Sequence, residues 1–176
     1  MIFEEAPLPG AWVVRLEPLQ DERGYFARTF AADEFERRGL DPGIAQCSVS
    51  FNPRRGTLRG MHYQADPHGE CKLIRCTRGR VYDVLVDLRR DSPAYCRWYG
   101  VQLAPEEGAM VYAPAGVAHG LLTLEDDSEV AYQISAPYVP EAARGVRWDD
   151  PAFGIELPAA VEVISERDRT YSDFRP

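Results

Sequence analysis

Apolar residues return at every second position in several short runs of this chain. In the clearest one Tyr82, Val84, Val86 and Leu88 share one side, while Asp83, Asp87 and Arg89 fall on the other. Alternation of that kind marks a strand with two different faces. Similar runs occupy residues 12–16, 25–30, 46–51, 57–64, 72–76, 80–88, 98–103, 109–112, 120–124 and 129–135. Turn residues separate them: Asp21-Glu22-Arg23-Gly24, Pro42-Gly43, Pro105-Glu106-Glu107-Gly108, Pro114-Ala115-Gly116 and Glu125-Asp126-Asp127. The connection Thr77-Arg78-Gly79 predicts a hairpin between the runs at 72–76 and 80–88. One stretch, 32–38, reads as a helix closed by Gly39. Many short strands with turns between them predict an all-β fold, an antiparallel sandwich or barrel with short flanking helices. No repeat, low-complexity segment or linker divides residues 1–176, which predicts a single domain.

Charge and composition narrow the partners. A formal net charge of -8 argues against nucleic acid or an anionic membrane as the binding surface. Any anionic ligand must therefore meet a local cluster of basic groups. No apolar run reaches spanning length, and Met-Ile-Phe-Glu-Glu lacks the basic and apolar regions of a signal peptide. Cys47, Cys71, Cys76 and Cys96 show neither a C-x-x-C spacing nor a disulfide framework. They read as reduced thiols with small buried apolar roles in a cytoplasmic protein.

Candidate chemistry begins at Arg59-Gly60-Met61-His62-Tyr63-Gln64. As a strand, residues 57–64 put His62 on the face of Leu58 and Gly60, where a glycine leaves room for a ligand. Histidine is the default proton-transfer side chain, and a core histidine held by hydrogen bonds is the competing reading. Tyr132 shares a face with Val130 and Ile134, so its hydroxyl either meets a carbonyl in the core or donates a proton into a cavity. Lys72 alternates with Ile74 and Cys76, an unusual place for a lysine unless that face opens onto something polar. Arg23, Arg28 and Arg59 lie in or beside strand-like runs and could together compensate a diphosphate, or else be solvated surface charges.

His119 lies in Pro114-Ala115-Gly116-Val117-Ala118-His119-Gly120, whose P-x-G-x-x-H spacing resembles the second metal-binding motif of the cupins. The only histidines are His62, His68 and His119, with Glu70 nearby. The paired H-x-H of such sites is absent and His68 stands between Pro67 and Gly69, so no metal is expected.

Seven segments in order carry a more specific resemblance: Asp21-Glu22-Arg23-Gly24-Tyr25-Phe26, Leu58-Arg59-Gly60-Met61-His62-Tyr63-Gln64, Lys72-Leu73-Ile74-Arg75-Cys76, the run from Val81 to Arg89, Ser92-Pro93, the His119 motif, and Ser165-Glu166-Arg167-Asp168. Together they resemble the dTDP-4-dehydrorhamnose 3,5-epimerase (RmlC-type) family of sugar-nucleotide epimerases, over roughly residues 16–168. The resemblance implies a cupin-type jelly-roll barrel without metal or cofactor, working as a homodimer on a dTDP-4-keto-6-deoxyhexose. It further implies His62 as catalytic base, Asp168 as the carboxylate orienting it, Tyr132 as the acid on the opposite face and Lys72 as the cation beside the C4 carbonyl. Arg23, Phe26, Arg28, Gln46, Ser48, Arg59, Lys72, His119 and Arg167 fall at the substrate-binding positions.

The chain departs from the family pattern at three places. Cys47-Ser48-Val49-Ser50 follows Gln46 where Asp-Asn-His-Ser is usual, and Arg28 and Ala143 stand where glutamates are common. These positions bear on the nucleotide and the sugar and leave proton transfer untouched. Mono-epimerisation at C3 or C5 of another nucleotide sugar, a non-catalytic sugar-binding cupin and a metal-dependent cupin are the alternatives.

Overall fold

The alternating runs form strands, and the strands sort into two facing sheets. The computed structural model describes residues 1–176. In chain order the elements are β1 (Ile2–Glu5), β2 (Trp12–Arg15), β3 (Leu19–Asp21), β4 (Gly24–Phe26), α1 (Ala32–Glu36), β5 (Gln46–Asn52), β6 (Thr57–Gln64), β7 (Lys72–Arg78), β8 (Val81–Asp87), β9 (Trp98–Leu103), β10 (Ala109–Ala113), β11 (Val117–Thr123), β12 (Ser128–Ile134), β13 (Ala143–Gly145), β14 (Val163–Ile164) and α2 (Glu166–Arg169). One sheet runs β1-β2-β10-β7-β12-β5 and the other β13-β6-β11-β8-β9, while β3 and β4 form a separate two-stranded arm. Pairing is antiparallel throughout except where β14 joins β6 in parallel. The two sheets packed face to face make a cupin-type jelly roll. No helix is long and apolar enough to cross a membrane.

The main core lies between the sheets, where Val13, Ile74, Val111 and Val130 of the first meet Val81, Leu85, Val117 and Leu121 of the second. Each sheet is also covered outside. Helix α1 lays Phe35 against Val14, Leu73, Met110 and Tyr112, and the chain after β12 lays Val146, Phe153 and Ile155 against Met61, Val84, Val86 and Ala118. That second cover explains the pattern of β8. Its apolar side faces the tail, and its other side, with Asp83 and Asp87 fully buried, faces inward.

Several sequence expectations change. Residues 77–79 do not close a hairpin: β7 pairs with β10 and β12, β8 with β11 and β9, and the short connection carries the chain from one sheet to the other. Gly79 suits that corner, because its φ is +70° and a Cβ there would sit 2.5 Å from Ser128 Oγ. The run at 25–30 is a strand only to Phe26, since its partner β3 ends the arm there. The helix at 32–38 is shorter than expected and ends in a turn that places Gly39 at φ +70°. β11 begins at Val117, ahead of the expected 120, which brings His119 into the ladder. Of the four cysteines, all free thiols, only Cys76 is fully buried.

Candidate active site

A break in register on β6 sets up the site. His62 stands opposite His119, and Arg59 opposite Leu121, so β6 spends one residue more than β11 over that interval. Residues three apart on a regular strand face opposite ways, and a bulge of one residue turns them to the same side. Arg59 and His62 accordingly line one cavity together with His119. His62 therefore follows Arg59, and not Leu58 and Gly60 as regular alternation predicts. Gly60 sits in the bulge at φ +110°, and a Cβ there would lie 2.6 Å from both the Gly120 Cα and the His119 carbonyl oxygen. Only glycine fits that approach.

The cavity has a volume of about 720 Å³ and takes its walls from β5, β6, β7, β11, β12 and the segment around α2. That size lies within the range of small-molecule binding pockets. Along β7 the inward face runs from Cys76 and Ile74 in the core to Lys72 in the cavity, and along β12 from Val130 to Tyr132 and Ile134. The alternation that singled out Lys72 and Tyr132 is thus the line along which the core gives way to the site.

His62 is partly exposed, and its Nε2 lies 2.6 Å from Asp168 Oδ1. The other carboxylate oxygen accepts the Gly60 N–H at 3.2 Å. Ser165 caps α2 by accepting the Asp168 N–H at 3.1 Å, which fixes the aspartate on its short turn. Burial by itself would raise the Asp168 pKa. The hydrogen bond and charge of His62, the Gly60 N–H and Ser165 outweigh it, and the carboxyl is held below its ordinary value. Ionised, Asp168 can only accept, so Nε2 is the nitrogen that donates to it, and in the neutral imidazole Nδ1 is the one with the free lone pair.

Tyr132 Oη lies 3.1 Å from Ser50 Oγ. Burial, partly countered by the Ser50 hydrogen bond, pushes the phenol up to about 12, so it keeps its proton at neutral pH. Its ring meets that of His119 edge to face at 5.9 Å. His119 in turn stands 2.7 Å, through Nε2, from Asp83 Oδ2. The two opposed histidines, His62 and His119, are thus each backed by an aspartate from a different element. Asp83 is fully buried, and burial raises its pKa against the pull of His119 and Lys72. Lys72 Nζ is 2.8 Å from Glu70 Oε1 and donates to the His62 carbonyl at 3.3 Å.

The remaining sequence candidates divide. Gln46, Ser48 and Arg167 line the cavity. Gln46 is tied to the Ala136 carbonyl, and Ser48 stands opposite Tyr132 in the β5–β12 ladder. Arg59 donates to Asn52 Oδ1 at 2.6 Å. Arg23, Phe26 and Arg28 do not reach the cavity of their own chain. Arg23 and Phe26 belong to the exposed arm, where Arg23 pairs with Asp21, and Arg28 is exposed just beyond it. His68 is exposed in the loop after β6, and no three His, Cys, Asp or Glu side chains gather in a ligand cluster. Glu70, Ser50, Tyr138 and Arg144 also line the cavity, and Asp83 supports it. For Asp83 the available signal was an acidic residue alternating with Val81 and Leu85 in a strand that is covered on both faces.

Arg59, Arg144 and Arg167 face the cavity without a carboxylate partner, whereas Glu70 and Asp168 are both engaged by the site's own Lys72 and His62. The site therefore suits an anion at its basic groups and offers a ligand two groups able to exchange protons, His62 and Tyr132.

The family model described as dTDP-4-dehydrorhamnose 3,5-epimerase matches residues 5–175. A dTDP-4-dehydrorhamnose 3,5-epimerase of Sinorhizobium fredii is 41% identical over 169 residues, covering 96% of this chain and 87% of that protein. The crystal structure of a dTDP-4-dehydrorhamnose 3,5-epimerase from Elizabethkingia anophelis superposes with a TM-score of 0.95 at 33% identity, covering 99% of this chain and 96% of the other. The crystal structure of a dTDP-6-deoxy-D-glucose-3,5-epimerase from Legionella pneumophila, in complex with dTDP-4-keto-L-rhamnose, superposes with a TM-score of 0.88 at 30% identity, covering 96% of this chain and 89% of the other.

Proposed function

The chain belongs to the dTDP-4-dehydrorhamnose 3,5-epimerase family, and from that premise we propose that it inverts C3, C5 or both in a dTDP-4-keto-6-deoxyhexose during deoxysugar formation, without a cofactor. The observation that carries this reading is the His62–Asp168 pair, 2.6 Å apart, in the same cavity as the protonated Tyr132. The C4 ketone acidifies the hydrogens at C3 and C5. Nδ1 of His62 takes one as a proton, and the electron pair left on carbon moves to the C4 oxygen. Asp168 stabilises the imidazolium that results, through the Nε2–H it already holds. Lys72, with two of its donor directions occupied by Glu70 and the His62 carbonyl, supplies positive charge for the enolate oxygen. Tyr132 returns a proton to the face opposite His62, and inversion follows; solvent then resets both groups. Arg59 and Arg167 are the groups we assign to the diphosphate, with Gln46, Ser48 and His119 contacting the rest of the substrate.

Incubation with dTDP-4-keto-6-deoxyglucose in deuterium oxide, followed by NMR at each carbon, tests this function. Deuterium is expected at C3, C5 or both with inverted configuration, and its absence from both positions would overturn the assignment.

The arm β3–β4 favours a homodimer. Leu19, Tyr25 and Phe26 are 71%, 61% and 67% exposed there, beside Arg23, as if made to lie against another surface. We infer that the arm brings Arg23 and Phe26, with Arg28 beside it, to the cavity of a second copy. Mixing inactive Arg23→Ala and His62→Ala chains should then restore activity in hybrids, whereas monomeric protein by sedimentation would refute the dimer. The four free thiols fit a cytoplasmic setting.

A further inference from the structure

A hydrogen bond from Nε2 to Asp168 fixes one atom of the His62 ring but leaves its plane free to swing, because the second side-chain torsion of histidine is broad. Something else must hold the plane if Nδ1 is to stay aimed at the substrate. Tyr171, just after α2 and outside the reaction scheme, meets the imidazole edge to face, with centroids 6.4 Å apart and planes at 72°. Its ring is seated on Gly145, the cross-strand partner of His62 on β13. A Cβ at Gly145 would come within 2.3 Å of two ring carbons and 2.7 Å of the hydroxyl. Gly145 is thus where the ring of Tyr171 finds room.

The backbone around Tyr171 is clamped. Arg147 donates to the Tyr171 carbonyl at 3.5 Å and pairs with Asp173 at 2.7 Å. The Phe174 N–H donates to Asp150 at 2.7 Å, and the Phe174 ring packs 5.0 Å from that of Phe153. The Tyr171 hydroxyl is buried and makes no hydrogen bond of ordinary geometry, although Arg167 stands beside it with its guanidinium carbon 5.9 Å from the ring centroid. The contact with His62 is made by the ring.

We propose that Tyr171 is a positioning residue for the base: seated on Gly145, its ring sets the plane of the His62 imidazole. The proposal rests on the reading of His62 as base.

A double-mutant cycle tests it. Gly145→Ala should displace the ring and Tyr171→Ala should remove it. Each is expected to slow C–H exchange about 10-fold at saturating substrate, the scale of a small misplacement of a reacting group, over and above any change in the Kd for dTDP that the neighbouring Arg167 brings. The double variant should be no slower than Tyr171→Ala alone, because the added Cβ no longer meets a ring. Tyr171→Phe should recover most of the rate. Additive losses, or a Tyr171→Ala rate within about twofold of the unmodified protein, would overturn the proposal. Should Gly145→Ala fail to fold, the contrast between Tyr171→Ala and Tyr171→Phe decides alone: equal losses would refute a role for the ring. His62→Ala in the same series separates the two readings, since retained exchange there would reject His62 as base whatever Tyr171 does.

Discussion

Asp168 lies 106 positions from His62 along the chain, yet its Oδ1 stands 2.6 Å from His62 Nε2. That pair fixes the tautomer, so its charge matters more than its bulk. Asp168→Asn keeps the shape, but its amide can donate as well as accept and no longer holds the proton on Nε2. Its kcat is expected to fall by about 10²–10⁴, the range for general-base catalysis, with KM nearly unchanged in steady-state assays. An unaltered kcat would detach Asp168 from the mechanism.

In the proposed scheme Tyr132 acts after proton removal. Tyr132→Phe leaves Ser50 Oγ without its partner but removes no charge. Deuterium should still enter the substrate, while inversion falls by about 10² or more relative to exchange. Loss of both rates in parallel would mean that Tyr132 does not deliver the second proton.

Lys72 is bound to Glu70, and removing it alone leaves a carboxylate uncompensated inside the cavity. The informative comparison is Lys72→Met with Lys72→Met/Glu70→Gln. Both should lower kcat by about 10²–10³ if Lys72 stabilises the enolate, with the double variant melting higher than the single. Recovery of kcat in the double variant would show that the unpaired Glu70 caused the loss.

Asp168 and Asp83 should respond to pH in opposite senses. The folded-state pKa of Asp168 is lowered, so its contribution to stability is present above the ordinary value of 3.8 and is lost as pH falls through the folded one. Asp168→Asn should therefore flatten the acid limb of a Tm profile below about pH 4. Burial raises the Asp83 pKa, so its contribution is present below 3.8 and is lost as pH rises through the raised value. The Tm of Asp83→Asn relative to the unmodified protein should climb with pH from about 4 upward. Parallel profiles for either variant would contradict the assigned shift.

Alternation made β8, β7 and β12 legible in the sequence, along with Lys72 and Tyr132 at the ends of their buried faces. Position along a strand was not enough for His62, because the bulge at Gly60 depends on how closely β11 approaches, which no local pattern records. Nor did the corner at Gly79 announce itself: a glycine at positive φ serves a hairpin and a sheet crossing equally well. Asp168 came from the order of motifs, since pairing across 106 residues is a product of folding. Arg23, Phe26 and Arg28 look like members of one basic and aromatic set in the sequence, but the arm carries the first two away from their own cavity.

Whether His62 removes the proton is decided by deuterium exchange in the His62→Ala protein. Measured by NMR on dTDP-4-keto-6-deoxyglucose, with dTDP binding as the check on folding, exchange at C3 and C5 should fall by about 10³ or more. Exchange at the unmodified rate, in a variant that still binds dTDP, would show that another group takes the proton.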